Sequence, residues 1–287
     1  MSPDPDPLLA RKTWRTVEPL HGMIYFAAEA HERYAELGLA ERSGYFASRS
    51  AAMGQVDAEV VIATFFNFHP GVVRRSLAGV WDTTSTDEVL EARLAAADGA
   101  LRRGLGPVVG SPEMARAAEL ARVAAEAACD RPEGRPLFAG HAALAWPDDP
   151  HLVLWQAQTL LREYRGDGHV AALCTAGLRG AEALVVHAAS GDVQAAVLKA
   201  SREWPDDEWM EAVDSVRSRG WLAAGDTLAL SPSGAEHRQA VEDLTDALAA
   251  HPYTALGSEG CAELRALARP WSQAIVAAGM VGFRPPQ

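Results

Sequence analysis

Apolar residues recur at the spacing of an α-helix through most of the chain. Val17, Leu20 and Ile24 follow one another at intervals of three or four residues, and Leu90 and Leu94 do the same further on. This spacing puts apolar side chains on one face of a helix, so it predicts helices that pack against a shared core. Alternation with a period of two is nearly absent before residue 227. The pattern therefore predicts a mainly α fold.

Short signals mark where several of these helices begin. Ser85-Thr-Asp-Glu88 precedes a helix that should run to Gly104, and Ser111-Pro-Glu-Met114 precedes one that should run to Ala128. A serine at such a position can accept hydrogen bonds from backbone N–H groups that have no partner inside the helix. Residues 130–136 then combine proline with glycine, which predicts a turn-rich connection and a sub-domain boundary.

Three helices are predicted after that connection, at 150–164, 169–178 and 180–189. The first break falls at Gly166-Asp-Gly168, because glycine is unfavourable inside a helix. Asp167 is then placed to cap the helix that begins at residue 168.

The C-terminal third carries the most specific pattern. It runs through a short helix at 193–201, a helix at 205–219, Gly220-Trp-Leu222, a turn at 224–226, a strand at Thr227–Leu230, and Leu230-Ser-Pro-Ser-Gly234 opening a helix to Ala249. This order resembles the winged helix of MarR-type proteins, in which a β-hairpin forms the wing. The resemblance implies a winged-helix module with a short β-hairpin at residues 196–252.

Three upstream segments, Glu18-Pro-Leu-His21, residues 65–70 and residues 160–169, resemble an uncharacterised actinobacterial family. Its members join an N-terminal helical region to this winged helix, and the family supplies no catalytic residues. The implied organisation, with the helical region interpreted as ligand-binding, is a multi-helix ligand-binding region at 8–195, the winged-helix module at 196–252, and a C-terminal helix and tail at 253–287.

The charge balance predicts that nucleic acid is not a partner. The formal net charge is −12, and acidic residues outnumber basic ones between Lys199 and His251. Asp206, Asp207 and Glu208 occupy the first turn of the helix that a winged helix inserts into the major groove. A duplex carries one negative charge per about 1.7 Å, so these carboxylates would be repelled. The winged helix is therefore expected to act as a scaffold or to join two copies into a homodimer.

Several other classes of function lack their signatures. No apolar stretch approaches the roughly 18 residues of a membrane span, so we expect a cytoplasmic protein without membrane contact. The chain contains no HExxH, HxH, CxxC, P-loop or GxSxG motif. No metal site is predicted, and neither a cofactor nor an enzymatic reaction can be named from these residues.

A polar cluster at Arg162–His169 is the strongest candidate for chemistry. We interpret Arg162 and Arg165 as anchors for an anionic or carbonyl group of a ligand. His169, oriented by Asp167, is the candidate for proton transfer, and these two residues form the predicted catalytic pair. The competing interpretation leaves Asp167 as a helix cap alone.

Other polar and aromatic residues suit the lining of a pocket for a flat organic molecule, although core packing with hydrogen-bonded tips is the commoner outcome for such residues. The predicted ligand-binding residues, besides Arg162 and Arg165, are His21, Tyr25, Arg49, Asn67, His69, His151 and Trp155.

Two functions fit these features. The first is a protein that binds a small organic molecule, with conversion of that molecule by His169 left open. The alternative is a ligand-responsive winged-helix transcription regulator, which would need to bind an operator sequence.

Overall fold

The computed structural model describes residues 6–225 and 227–282, and within this part of the chain nearly all regular structure is helical, which confirms the predicted mainly α fold. The first nine helices are α1 (Pro7–Gly22), α2 (Ala28–Glu36), α3 (Glu41–Ser50), α4 (Ala58–Phe65), α5 (Pro70–Leu77), α6 (Val80–Thr83), α7 (Thr86–Leu105), α8 (Pro112–Ala128) and α9 (Pro136–Ala142).

The described residues continue through seven more helices. These are α10 (Pro150–Thr175), α11 (Gly180–Ala189), α12 (Ala195–Arg202), α13 (Asp206–Ser218), α14 (Pro232–Leu248), α15 (His251–Thr254) and α16 (Gly257–Ala277). Three short 3-10 turns, Met23–Tyr25, Ala51–Met53 and Gly106–Gly110, lie between helices of the first half.

Two of the predicted helix starts have the expected capping geometry. The Ser85 hydroxyl accepts a hydrogen bond from the Glu88 backbone N–H, and the Glu88 carboxylate accepts one from the Ser85 N–H. Ser111 accepts from the Met114 N–H at 3.1 Å. Both serines satisfy donors that the first turn of a helix leaves unpaired.

The predicted break at Gly166-Asp-Gly168 is wrong, because α10 continues without interruption from Pro150 to Thr175. Two glycines cost helix propensity of about 1 kcal/mol each relative to alanine. Most of the α10 side chains are buried, and tertiary packing of this kind outweighs local propensity. Asp167 therefore cannot cap a helix that begins at residue 168.

The Cα positions divide into two compact units. The larger unit comprises Met1–Gln55, Gly79–Asp167 and Asp246–Gln287. In its core α1 packs along α16, α2 packs on α7, and α8 contacts both α15 and α16. Helices α7 and α8 each carry buried alanines, whose small side chains allow neighbouring helices to approach closely: Ala96, Ala97, Ala100, Ala117, Ala121 and Ala124.

The smaller unit comprises Val56–Ala78 and Gly168–Thr245. Helix α11 packs on α12 and α13. Trp209, Val213, Val216 and Leu222 are all buried in this unit, as their inward spacing on the helix and the segment after it predicts.

The expected β-hairpin is reduced to a single antiparallel bridge between Leu222 and Leu230. Beside it, the Ala223 N–H donates to the Ala229 carbonyl at 2.9 Å, and the Ser231 N–H donates to the Trp221 carbonyl at 2.9 Å. No strand is assigned among the described residues, because Leu230 N–H turns instead to the Ala189 carbonyl of α11 at 3.1 Å. Asp226 of the predicted turn lies outside the described residues.

The Leu230–Gly234 motif has a clear structural basis. The Ser231 hydroxyl donates to the Gly220 carbonyl at 2.6 Å and accepts from the Gly234 N–H at 3.0 Å. A Cβ at Gly234 would lie 2.0 Å from the Trp221 carbonyl oxygen. Only glycine allows this approach, so the motif joins the start of α14 to the chain just after α13.

Among the described helices, none is by itself both long and apolar enough to cross a membrane; only α10 together with α11, bent by 95° at their junction, reaches that length and apolarity as a pair. The domain limits expected at 8–195, 196–252 and 253–287 stay predictions, and residues 283–287 of the tail lie outside the described residues.

Candidate functional site

Three arginines of the larger unit converge on the ring of Tyr25. The guanidinium carbons of Arg49, Arg93 and Arg162 lie 5.7, 5.9 and 5.0 Å from its centroid. Cations at such distances are attracted by the face of an aromatic ring. Arg162 also donates to the Tyr25 hydroxyl at 3.1 Å. Helices α3, α7 and α10 each supply one arginine, so the group is assembled by tertiary folding.

Two glutamates neutralise part of this positive charge. Glu18 accepts from Arg162 Nε at 2.7 Å, and Glu163 accepts from Arg162 Nη1 at 3.1 Å and from Arg49 Nη2 at 3.4 Å. Burial alone would raise the pKa of Glu163, but Arg49 and Arg162 outweigh it and hold that pKa at about 2. Burial raises the pKa of Glu18, although Arg162 opposes the shift. Three guanidinium groups therefore face two carboxylates.

His21 is fully buried within the same group and is uncharged. Burial, followed by the charges of Arg162 and Arg93, lowers its pKa well below the ordinary histidine value. Its Nε2 lies 3.4 Å from Arg93 Nη2. A guanidinium can only donate, so Nε2 accepts and the ring proton is on Nδ1. Within the described part of the chain, this Nδ1–H has no hydrogen-bond partner.

Trp155 adds a second aromatic ring beside that of His21. Its ring stacks on His21 with centroids 5.5 Å apart and planes inclined by 22°, and the Arg93 guanidinium lies 5.1 Å from its centroid. The Trp155 Nε1–H is buried without a described partner. Stacked rings beside unpaired N–H groups can hold a hydrogen-bond acceptor.

His141 of α9 completes what we call the arginine cluster. Burial, then the nearby Arg93 charge, lowers the pKa of His141 to about 4, against the opposing effects of Glu163 and of a hydrogen bond to the Arg49 backbone. The members of the arginine cluster are Glu18, His21, Tyr25, Arg49, Arg93, His141, Trp155, Arg162 and Glu163.

The smaller unit contains a second arrangement, in which α12 and α13 are joined by a tight turn. Glu203 adopts the left-handed conformation with φ of 55°. Its N–H donates to the Ala200 carbonyl at 3.3 Å, and the Trp204 N–H donates to the Lys199 carbonyl at 3.1 Å. These two bonds form the Schellman motif that ends many helices. Pro205 follows and cannot extend α12. The result is helix, short turn, helix.

The segment just before α5 supports this turn. The Asn67 carbonyl accepts from Trp204 Nε1 at 2.9 Å, and the His69 N–H donates to the Arg202 carbonyl at 3.0 Å. His69 Nδ1 accepts from the Gly71 N–H at 3.1 Å, so its Nε2 carries the proton and donates to Glu208 at 3.1 Å. Asn67 and His69, predicted as pocket residues, therefore bond to α12, α13 and the turn between them.

The outward face of α13 is mainly acidic, and several of its carboxylates are paired within the smaller unit. Asp206 pairs with Lys199 of α12, and Asp214 pairs with Arg217 at 3.0 Å. Met210 on the same face is 53% exposed. The formal charge of this helix therefore overstates the negative charge that is free to repel an anion.

The side chains of the predicted catalytic pair, Asp167 and His169, have separate hydrogen-bond partners in the structure. The Asp167 carboxylate accepts from the Phe138 backbone N–H at 2.9 Å, near the start of α9. His169 Nδ1 donates to the Thr245 hydroxyl at 2.9 Å, because that hydroxyl already donates to the Val241 carbonyl. Residues two apart on a helix point to different sides. Asp167 therefore cannot orient the His169 ring, and the mechanism inferred from the sequence loses its geometric basis.

Arg165 is held by a structural ion pair. Its Nη2 lies 2.7 Å from the Asp246 carboxylate, which also accepts from Arg11, and its guanidinium lies 4.7 Å from the centroid of Trp14. The predicted role of Arg165 as a ligand anchor is not supported, because its charge is already neutralised by a buried carboxylate.

His151 belongs to a different group of charges in the larger unit. Its Nε2 lies 2.6 Å from Asp98, and Asp98, Asp149 and His151 place one metal-ligating atom each within 4.8 Å of one another. The Arg102 guanidinium donates to Asp98 at 2.7 Å and to Asp149 at 3.4 Å. The Arg102 side chain thus already neutralises both carboxylates. We therefore interpret the group as a set of ion pairs and not as a metal site.

Of the predicted ligand-binding residues, the structure brings five together in the arginine cluster: His21, Tyr25, Arg49, Trp155 and Arg162. Sequence analysis missed Arg93, His141 and the pairing of Glu18 with Arg162. Arg93 lies on the apolar stripe of α7, between Leu90 and Ala97. An arginine within an apolar face is the signal that could have identified it.

Comparison with known proteins agrees with the helix-turn-helix arrangement of the smaller unit. The model of a helix-turn-helix family matches residues 10–282, so the chain belongs to this family. Searches of curated proteins and of solved structures returned no match. The family match overturns the prediction that nucleic acid is not a partner. That prediction counted the charges of a segment without their pairing, and it omitted Arg74 and Arg75, which fold into the same unit.

Proposed function

We propose that the chain is a ligand-responsive regulator that binds DNA through α13. The observation that carries the proposal is the α12–turn–α13 arrangement, held by Asn67 and His69 in a chain of the helix-turn-helix family. In such modules the second helix enters the major groove and its N-terminal residues meet base edges.

The outward residues of α13 are chemically suited to base contacts. Carboxylates such as Asp207 and Glu211 can accept from the amino group of cytosine, and the exposed Met210 can contact a thymine methyl group. Acidic residues in the groove therefore serve specificity, while phosphate contacts must come from arginine and lysine.

Two cations, Arg217 of α13 and Lys199 of α12, can supply phosphate contacts. Arg217 and Lys199 are paired with Asp214 and Asp206 through partly exposed side chains. Exposed ion pairs contribute about 1 kcal/mol or less to stability, so little free energy is lost when a phosphate replaces the carboxylate. We further propose that the Leu222–Leu230 bridge marks a reduced wing of the MarR type. Two copies would then present two α13 helices to half-sites about 34–36 Å apart.

The ligand-responsive part of the proposal rests on the arginine cluster. Its rings and buried N–H groups belong to the larger unit, where His21, Arg93 and Trp155 come together. Helix α10 carries Trp155 and continues to Thr175 in the smaller unit. A ligand bound near Trp155 would act through this helix and so change the DNA affinity of the protein.

The test is enrichment of duplexes from a randomised pool on the full-length protein, followed by anisotropy titrations of an enriched duplex and a scrambled one. We expect the enriched duplex to bind more tightly. Arg217→Ala should weaken both duplexes alike, because a phosphate contact carries no sequence information, whereas Met210→Ala should relax the preference at one base pair.

Arg116→Ala is the matched control, since Arg116 is an exposed arginine of the larger unit paired with Glu263 at 2.8 Å. It should leave both affinities unchanged. Failure to enrich any sequence, or equal losses from Arg217→Ala and Arg116→Ala, would refute the proposed role of α13.

A further inference from the structure

Arg93 is a buried cation of α7. Its exposed fraction is 2%, and among the described residues no carboxylate forms an ion pair with it. Its polar neighbours are His21 Nε2 and the Tyr34 hydroxyl. The Nε and Nη1 groups donate to no described atom. An unpaired charge in a protein interior is strongly unfavourable, so a site of this kind calls for an anion.

The charge of the arginine cluster gives the valence of that anion. Arg49 and Arg162 are matched by Glu18 and Glu163, through hydrogen bonds of 2.7–3.4 Å. His21 and His141 have lowered pKa values and are neutral near pH 7. With both glutamates ionised, three guanidinium groups face two carboxylates, so one further negative charge balances the cluster. The Arg93 charge helps to lower the pKa of Glu163, but no ion pair joins these two among the described residues.

Two further buried donors belong to side chains that contact Arg93. His21 Nδ1–H and Trp155 Nε1–H are buried and find no acceptor among the described residues, and both side chains contact Arg93. A carboxylate offers about four lone-pair sites, enough for a guanidinium and neighbouring N–H groups together.

We infer that Arg93, His21 and Trp155 form a binding site for the carboxylate of a small organic monoacid. This inference rests on the ligand-responsive part of the proposed function and is independent of its DNA-binding part. All measurements below omit DNA, so a failure here is distinguishable from a failure of DNA binding.

The experiment measures thermal unfolding of the full chain with formate, acetate or benzoate, against chloride at equal ionic strength and against neutral benzamide. Binding to the folded state alone should raise Tm by about 2–4 °C with at least one carboxylate. Chloride and benzamide should give no comparable shift. The inference would be overturned if chloride raised Tm as much as the carboxylates do. It would also be overturned if none of the three carboxylates raised Tm.

Two variants connect the effect to the site. Arg93→Met keeps the length of the side chain and removes its charge, so it should abolish the carboxylate shift without lowering the Tm of the free protein. Arg116→Met, at an exposed arginine of the same unit, should keep the shift. A carboxylate shift that persists in Arg93→Met would contradict the site.

A crystal structure with bound acetate or benzoate gives a direct readout even if a variant fails to fold. We expect a carboxylate oxygen within hydrogen-bond distance of Arg93 Nε or Nη1. Carboxylate density elsewhere, or only water beside Arg93 at saturating benzoate, would overturn the assignment.

Discussion

The indole N–H of Trp204 donates a hydrogen bond of 2.9 Å to the backbone carbonyl of Asn67, which lies 137 residues earlier in the chain. Trp204 is the residue that completes the Schellman turn between α12 and α13. The Trp204 ring also packs edge-on against His69, with centroids 5.2 Å apart. A residue of the turn is thus fixed by a segment far away in sequence, and the orientation of α13 depends on both.

The first prediction concerns this contact. Trp204→Phe keeps an aromatic ring beside His69 but removes the donor, which leaves the Asn67 carbonyl without that hydrogen bond. The free energy of unfolding should fall by about 1–2 kcal/mol, and amide hydrogen exchange in α12 and α13 should become faster. An unchanged exchange rate in both helices would show that the turn does not depend on the bond.

Asp167 yields a prediction about pH. Burial raises the pKa of Asp167 to about 7, although the Phe138 N–H acts in the opposite direction. The unfolded chain has a pKa near 3.9 for this residue type. Between about pH 4 and 7 the folded state therefore holds the extra proton, and this residue makes stability fall as pH rises.

Asp167→Asn removes that titration and retains an oxygen that can accept from Phe138. We expect the variant to exceed wild type in free energy of unfolding by about 1–3 kcal/mol at pH 8 and to equal it near pH 4. Denaturant titrations at the two pH values check the difference. A variant that is less stable at pH 8 would show that the charged carboxylate stabilises α9.

His141 should change the pH dependence of stability with the opposite sign between about pH 4 and 7. Its pKa in the folded protein is about 4, mainly because of burial and the Arg93 charge, against an ordinary value of about 6.5. The unfolded state therefore takes up the proton first as pH falls. The stabilising contribution of neutral His141 is complete above pH 6.5 and is lost as pH falls towards 4.

His141→Asn preserves a donor for the Arg49 backbone and cannot titrate. Between pH 7 and pH 4, wild type should lose up to about 3 kcal/mol relative to this variant. Parallel profiles of the two proteins across that interval would mean that His141 is not buried as a neutral ring.

Local rules predicted the helix starts well and the breaks less well. Ser85 and Ser111 act within a few residues of themselves, so their caps were readable from the sequence. The Gly166-Asp-Gly168 break failed because burial along α10 overrides the local preference of glycine. The hairpin prediction failed because the Leu230 N–H donates to the Ala189 carbonyl of α11, a partner that no local pattern reveals.

The candidate site was only partly predictable for the same reason. His21, Tyr25 and Arg162 were identified by residue type, and they do come together. The Asp167–His169 pair was inferred from nearness in sequence, whereas an unbroken helix turns the two side chains to different partners. Arg93 was not identified because it lies within an alanine-rich helix. Its place in the site depends on contacts with His21 of α1 and Trp155 of α10.

The salt dependence of DNA binding tests the central claim most directly. Titrations of an enriched duplex at several salt concentrations should give a linear fall of log K with log salt, and Arg217→Ala should reduce the slope by about 0.9 for the one phosphate contact removed. Arg116→Ala should leave the slope unchanged. Sequence-independent binding at every salt concentration, or a slope that Arg217→Ala does not alter, would contradict DNA recognition by α13.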